Sequence, residues 1–177
     1  TSTLTSQDLD ARYTNGYLYT HLNPKNNLTV TLGLAYDDYN SDTVDEEKFN
    51  PKAGITYSFL QIATLRATWF RTIKRPFAID HTIEPTQVAG FNQFFDDIPG
   101  SKTERYGVGL DVKFTDYLFG GVEFSWRELD FKAVDASTGA ESMMDQKEEL
   151  HRLYLNLTPL DRLALSIEGF YEKFDNP

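Results

Sequence analysis

Arg105-Tyr106-Gly107-Val108-Gly109-Leu110-Asp111-Val112-Lys113-Phe114 is followed, after Thr115-Asp116-Tyr117, by Leu118-Phe119-Gly120-Gly121-Val122-Glu123-Phe124-Ser125-Trp126-Arg127. In the first run Tyr106, Val108, Leu110, Val112 and Phe114 alternate with Arg105, Gly107, Gly109, Asp111 and Lys113. In the second, Leu118, Gly120, Val122, Phe124 and Trp126 alternate with Gly121, Glu123, Ser125 and Arg127, Phe119 being the exception. A period of two residues is that of a strand with one apolar and one polar face, and no helical period competes with it. Thr115-Asp116 between the runs reads as a tight turn.

Working outward, the same alternation recurs. Leu28, Val30, Leu32, Leu34 and Tyr36 share one phase, as do Pro51, Ala53, Ile55 and Tyr57. Leu65, Ala67 and Trp69 follow, then Leu153, Leu155 and Leu157, then Leu163, Leu165, Ile167 and Tyr171. A blurrier segment around Tyr13, Tyr17 and Tyr19 precedes them, with Asn15 in the same phase. This makes about eight strands, several of ten residues or more. Strands of soluble proteins usually run about five or six residues, whereas a tilted membrane-spanning strand needs about 9–11.

The connections alternate in length. Asn23 to Asn27, Ser58 to Ile62, Thr115-Asp116 and Thr158 to Asp161 are short; 38–48, 73–103 and 131–147 are long. Clipped periplasmic turns and long extracellular loops give an up-and-down membrane barrel this signature. Within the longest loop, Val88 to Phe95 reads as a short strand or hairpin that reverses near Asp96-Asp97-Ile98-Pro99-Gly100; two extra spans there, making ten instead of eight, would keep the parity. A structureless loop of that length is uncommon and often functional.

Composition narrows the class. Thirteen Phe, ten Tyr and two Trp are many for a chain of mean hydropathy −0.46. A barrel reconciles the two numbers if the aromatics spread over its outside. A net charge of −10 argues against nucleic acid, since phosphate binding needs clustered cations. There is no cysteine, hence no disulfide scaffold or thiolate metal site. No apolar run reaches the roughly 18 residues of a transmembrane helix.

Chemical motifs are scarce. His21, His81 and His151 stand apart from any H-E-x-x-H arrangement. Asp38, Asn40 and Asp42 match the first ligands of a calcium loop, but Thr43 replaces its glycine and Phe49 its bidentate glutamate. Gly107-x-Gly109 lacks the third glycine of a phosphate cradle; on an inward face such glycines let other backbone approach. Arg71-Thr72-Ile73-Lys74-Arg75 is the one basic cluster; it reads first as interfacial positive charge on an acidic protein, and second as a contact for lipopolysaccharide or an acidic solute. No catalytic site, cofactor or metal is expected.

Asn50-Pro51-Lys52-Ala53-Gly54-Ile55-Thr56-Tyr57, then Thr64-Leu65-Arg66-Ala67-Thr68-Trp69-Phe70-Arg71 and Arg75-Pro76, resemble barrel strands of TonB-dependent outer-membrane receptors. Ile83-Glu84-Pro85-Thr86 is similar to that family's Leu-x-Pro-Glu, and Tyr106-Gly107-Val108-Gly109-Leu110 to its Tyr-Glu-x-Gly-Leu strand. The stretch Glu84 to Asp97 also resembles a phrase from barrels attached to tetratricopeptide repeats in Gram-negative outer membranes. The resemblance covers about residues 27–130. It implies an outer-membrane barrel that serves passage, receptor-type uptake or export of a solute or polymer. Such receptors have about 22 strands, so the chain is either a complete small barrel or a segment of a larger one. No plug domain or TonB box is recognisable in it.

The expectation is an all-β, antiparallel, transmembrane barrel in the bacterial outer membrane. Arg66, Arg105, Asp111, Glu123, Arg127, Arg152 and Glu168 would face the lumen. Tyr36, Tyr57, Trp69, Phe114, Trp126 and Tyr171 would face lipid as interfacial girdles. Its partners would be outer-membrane lipid and lipopolysaccharide, a solute or polymer, and a periplasmic partner or further domains of a longer chain. The rival expectation is a soluble lipocalin-like barrel with the apolar phase turned inward around an apolar ligand, because alternation alone does not say which face is inside.

Overall fold

A computed structural model describes residues 11–41, 45–75, 84–134, 141–160 and 162–175. The strands are β1 (Ala11–Lys25), β2 (Leu28–Ser41), β3 (Asp45–Phe59), β4 (Ala63–Ile73), β5 (Gln87–Val88), β6 (Phe91–Asn92), β7 (Lys102–Lys113), β8 (Leu118–Val134), β9 (Glu141–Leu160) and β10 (Leu163–Asp175). Eight form one antiparallel sheet in the order β1-β2-β3-β4-β7-β8-β9-β10, each paired with its neighbour in sequence across a turn or loop. Strands β5 and β6 pair only with each other, so they add no membrane spans, and the described residues supply eight. Their hairpin reverses at Ala89-Gly90, where both residues take positive φ, rather than at Asp96 to Gly100.

The strands outrun the sequence pattern on one side. Strand β2 continues to Ser41 and β3 starts at Asp45, and β8 runs to Val134 with β9 starting at Glu141. Most of 38–48 and 131–147 is therefore extended ladder projecting beyond the apolar band. Polar outer faces hid the alternation there, since both phases of a strand in water are polar.

Register separates two faces. Val30, Ile55, Ala67, Val108, Phe124, His151 and Tyr171 lie opposite one another across the sheet, on its apolar side. One residue along every strand gives the other side: Thr31, Gly54, Thr68, Gly107, Ser125 and Leu150. Exposure is inverted relative to a soluble protein. Leu34, Leu65, Val108 and Trp126 are exposed, while Lys52 and Arg105 are each only 3% accessible. A soluble lipocalin-like barrel would cover the apolar phase, so that rival fails: water penalises bare aliphatic area by roughly 25 cal/mol per Å², whereas lipid does not.

The aromatics on the apolar side follow oblique lines. Trp69, Tyr106 and Trp126 share one register row. Tyr36 lies outward of that row and Tyr171 inward of it. The drift is about one residue per strand, as a tilted barrel needs if its girdle is to stay level in the membrane. Tyr57 on β3 and Phe114 after β7 begin the inner line near the short turns. The sheet is open: β1 and β10 each have one edge with no partner among the described strands. Lipid satisfies no backbone N–H or C=O, so neither edge is a surface that lipid alone can cover.

Candidate functional site

The polar face of the sheet carries a trough. Thr31, Gly54, Thr68, Gly107 and Ser125 form one row of small side chains across five strands. The next row outward holds Tyr19, Gly33, Lys52, Phe70, Arg105, Arg127 and Glu148. The row inward holds Thr56, Arg66, Gly109, Glu123 and Arg152. Into this trough folds the segment Glu84–Asp97 from the β4–β7 connection, which re-enters along the wall instead of standing in the extracellular space.

Its apolar residues are seated in the trough. Val88 and Phe91 are fully buried, clustered with Phe70 of β4. Burying side chains of this size contributes about 1.5–3 kcal/mol each. The wall is cut to fit: a Cβ on Gly54 would stand 2.9 Å from Val88 and Ala89, and one on Gly107 would stand 2.5 Å from the Phe91 ring. Gly107→Val should therefore destabilise the docked hairpin by about 1–3 kcal/mol. Phe91→Ala should remove most of that penalty while creating its own, so thermal unfolding of the two single variants and the double variant should be clearly non-additive; strict additivity would contradict the contact.

Charged side chains hold the rim. At the entering end, Glu84 accepts from Lys52 Nζ at 2.6 Å, from Tyr19 Oη at 2.8 Å and from Arg75. Lys52 also donates to Gln93 Oε1 at 2.6 Å, and Gln93 Nε2 donates to Tyr19 Oη at 3.0 Å. The side chains of Lys52 and Glu84 are 2% and 1% exposed. At the tip, Arg66 donates to the Ala89 carbonyl at 3.3 Å while forking onto Asp111 at 2.7 and 3.1 Å and reaching Glu123 at 3.5 Å. Arg105 donates to the Asn92 carbonyl at 2.9 Å and to Ser125 Oγ at 2.7 Å. At the returning end, Arg127 bridges Asp97 at 2.9 Å and Glu148 at 2.7 Å. Burial holds the Asp97 carboxyl above the usual range, against the opposing pull of Arg127.

Guanidinium groups and rings interleave along the hairpin. Phe91 lies under Arg66 at 5.1 Å and Arg105 at 5.8 Å, and Phe95 under Arg105 at 4.9 Å and Arg127 at 4.1 Å. Phe94 faces Arg75 at 4.8 Å. Each such pair contributes about 0.5–2 kcal/mol, more when desolvated. Between the outer end of β4 and the returning arm is a cavity of about 560 Å³, lined by residues that include Lys74, Arg75, Gln93, Phe94, Phe95 and Asp96. That is the size of a small-molecule site.

Of the lumen-facing expectations, Arg66, Arg105, Asp111, Glu123 and Arg127 are brought together on the hairpin's side of the sheet. Arg152 and Glu168 pair with each other at 3.0 Å on the same face of β9 and β10, away from the hairpin. Trp69 donates Nε1 to Glu104 at 2.8 Å and Tyr36 its hydroxyl to Glu47 at 2.6 Å, both on the outer part of the apolar face; Tyr57, Phe114, Trp126 and Tyr171 stand exposed on that face. The basic cluster does not act as a unit. Arg71 turns outward to Glu104 at 2.8 Å, whereas Arg75, two residues past the end of β4 and so free of its alternation, turns inward to Glu84. Among the described residues no three His, Asp or Glu side chains gather as a metal site. His21 meets Thr31 at 3.0 Å, His151 stacks on Tyr171, and His81 and Asp42 lie outside the described residues.

Sequence reasoning missed Tyr19, Lys52, Glu84, Gln93, Phe91 and Asp97. The available signals were the unusual density of aromatics in a loop and the inward glycines opposite it.

The geometry defines a class: a segment of outer-membrane barrel wall, lined on its lumen side by a loop of its own. A family model described as TonB dependent receptor-like, beta-barrel matches residues 2–177, and the chain belongs to that family. It is located in the bacterial outer membrane. Among solved structures it is similar to the Pseudomonas aeruginosa ferripyoverdine receptor bound to ferripyoverdine, at 14% identity and TM-score 0.70 over 97% of this chain and 24% of that one. It is likewise similar to a chain of the FpvAI–pyocin S2 complex, at 12% identity and TM-score 0.68 over 95% and 24%. The alcaligin outer-membrane receptor FauA of Bordetella pertussis matches at 15% and 0.67 over 95% and 31%. The chain thus spans a quarter to a third of these structures. No curated protein matches it. The fold is that of a segment of a larger barrel: a closed eight-stranded barrel has room inside for little beyond its own side chains, and this wall already carries a folded hairpin.

Proposed function

We propose that the protein is a non-catalytic outer-membrane receptor that takes up a solute through a wide barrel, with this segment forming part of the wall and outer mouth. The observation that carries the reading is the hairpin seated on the polar face while the apolar face is bare, which supports the polar side as the passage. The cavity at the outer end, with Phe94 and Phe95 beside Lys74, Arg75 and Asp96, lies where an incoming solute first meets the wall. Because solved structures with a similar fold include a ferripyoverdine receptor and an alcaligin receptor, iron chelates are the first solutes to test. Cells producing the full-length protein should accumulate at least one radiolabelled ferric chelate faster than cells lacking it, and a protonophore should abolish the difference. Equal accumulation across a panel of ferric catecholates and hydroxamates would overturn the iron-chelate reading.

A further inference from the structure

We propose that the hairpin Glu84–Asp97 is a stationary part of the wall, a built-in narrowing of the lumen that stays docked while solute passes. The inference rests on the barrel reading and goes beyond it. Four separate attachments bind the segment to different strands: Glu84 to β1 and β3 through Tyr19 and Lys52, the Ala89 carbonyl to Arg66 of β4, the Asn92 carbonyl to Arg105 of β7, and Asp97 to Arg127 of β8. A gate is held at a hinge and one latch, whereas here the hairpin is fixed at both ends and at its tip. Its base is closed as well, since Lys74 donates to the Ser101 carbonyl at 2.8 Å and Gly100 donates back to Lys74 at 2.9 Å. The wall beneath is shaped for one position: Gly54 and Gly107 leave sockets that Val88, Ala89 and Phe91 fill. Sliding would drive ring and methyl groups into backbone, and lifting would bare Val88, Phe91 and Phe70 to a water-filled passage. The solute path therefore runs over the hairpin's exposed side, past Gln87 and Asn92, and not along the trough.

The test is cysteine accessibility in outer membranes of cells producing the full-length protein in a cysteine-free background. Val88→Cys places a thiol at a fully buried hairpin site, and Ile98→Cys places one at an exposed site on the same connection. A membrane-impermeant maleimide should modify Val88→Cys roughly tenfold or more slowly than Ile98→Cys, with the same ratio in energised and protonophore-treated cells. Phe91→Cys, equally buried, provides a second site should the first variant assemble poorly. Adding Glu84→Ala should speed modification at the hairpin site. Energy-dependent exposure of Val88→Cys would overturn the proposal, and so would protection that Glu84→Ala leaves intact, since something else would then be the shield. Because labelling is read on protein in the outer-membrane fraction, absence from that fraction counts against the barrel reading and an altered ratio against the stationary hairpin.

Discussion

Leu110→Arg should destabilise the folded barrel by about 2–4 kcal/mol, the cost of a guanidinium facing lipid near the midplane. Leu110 lies in the register row Tyr57, Leu65, Leu110, Val122, Leu153. That row falls about midway between the outer aromatic row of Trp69, Tyr106 and Trp126 and the inner turns, so the arginine cannot snorkel easily to either interface. Val122→Arg, beside it, should cost the same. Folding equilibria in liposomes, followed by denaturant titration, would measure both. A cost near zero would mean that this face meets water, and the inside-out assignment would fall. Thr56→Arg on the opposite face of β3, beside Arg66, should be tolerated far better because the lumen supplies water.

Glu84→Ala carries a comparable penalty by a different route. It leaves Lys52 and Arg75, whose side chains are 2% and 7% exposed, without the carboxylate they share. Removing one partner of a buried ion pair costs about 3–5 kcal/mol, chiefly because the remaining charge is stranded. The loss should be local. Hydrogen exchange over residues 86–95 should accelerate, while the β7–β8 ladder keeps its protection. Glu84→Gln, which still accepts hydrogen bonds, should fall between. Unchanged exchange over 86–95 would contradict the anchoring role given to Glu84.

The sheet was legible because its evidence is local. Tyr106 to Phe114 and Leu118 to Trp126 state their faces residue by residue, and the polar phase of β4, β7 and β8 identified Arg66, Arg105, Asp111, Glu123 and Arg127 as one side. The hairpin was not, because it depends on register. Gly54, Thr68, Gly107 and Ser125 are unremarkable within their own strands and become a trough only when four strands align. Glu84 sits nine residues beyond Arg75 and more than thirty beyond Lys52, and no spacing rule pairs them. Trp69, Trp126 and Tyr171 do stand on the apolar face, but Tyr19, Phe70, Phe91, Phe94 and Phe95 are inside, contributing to the wall–hairpin contact. Many aromatics in a polar chain therefore have two causes, a lipid-facing surface and a loop core built within the lumen.

The central claim is that the apolar phase meets lipid and the polar phase meets the lumen. It is tested most directly by nitroxide scanning of Gly121 to Trp126 in the full-length protein reconstituted in liposomes. Accessibility to oxygen should peak at 122, 124 and 126, and accessibility to a water-soluble nickel chelate should be low there. Positions 123 and 125, covered by the wall–hairpin contact, should be low to both reagents. Oxygen maxima at 123 and 125, or no alternation along the strand, would contradict the account.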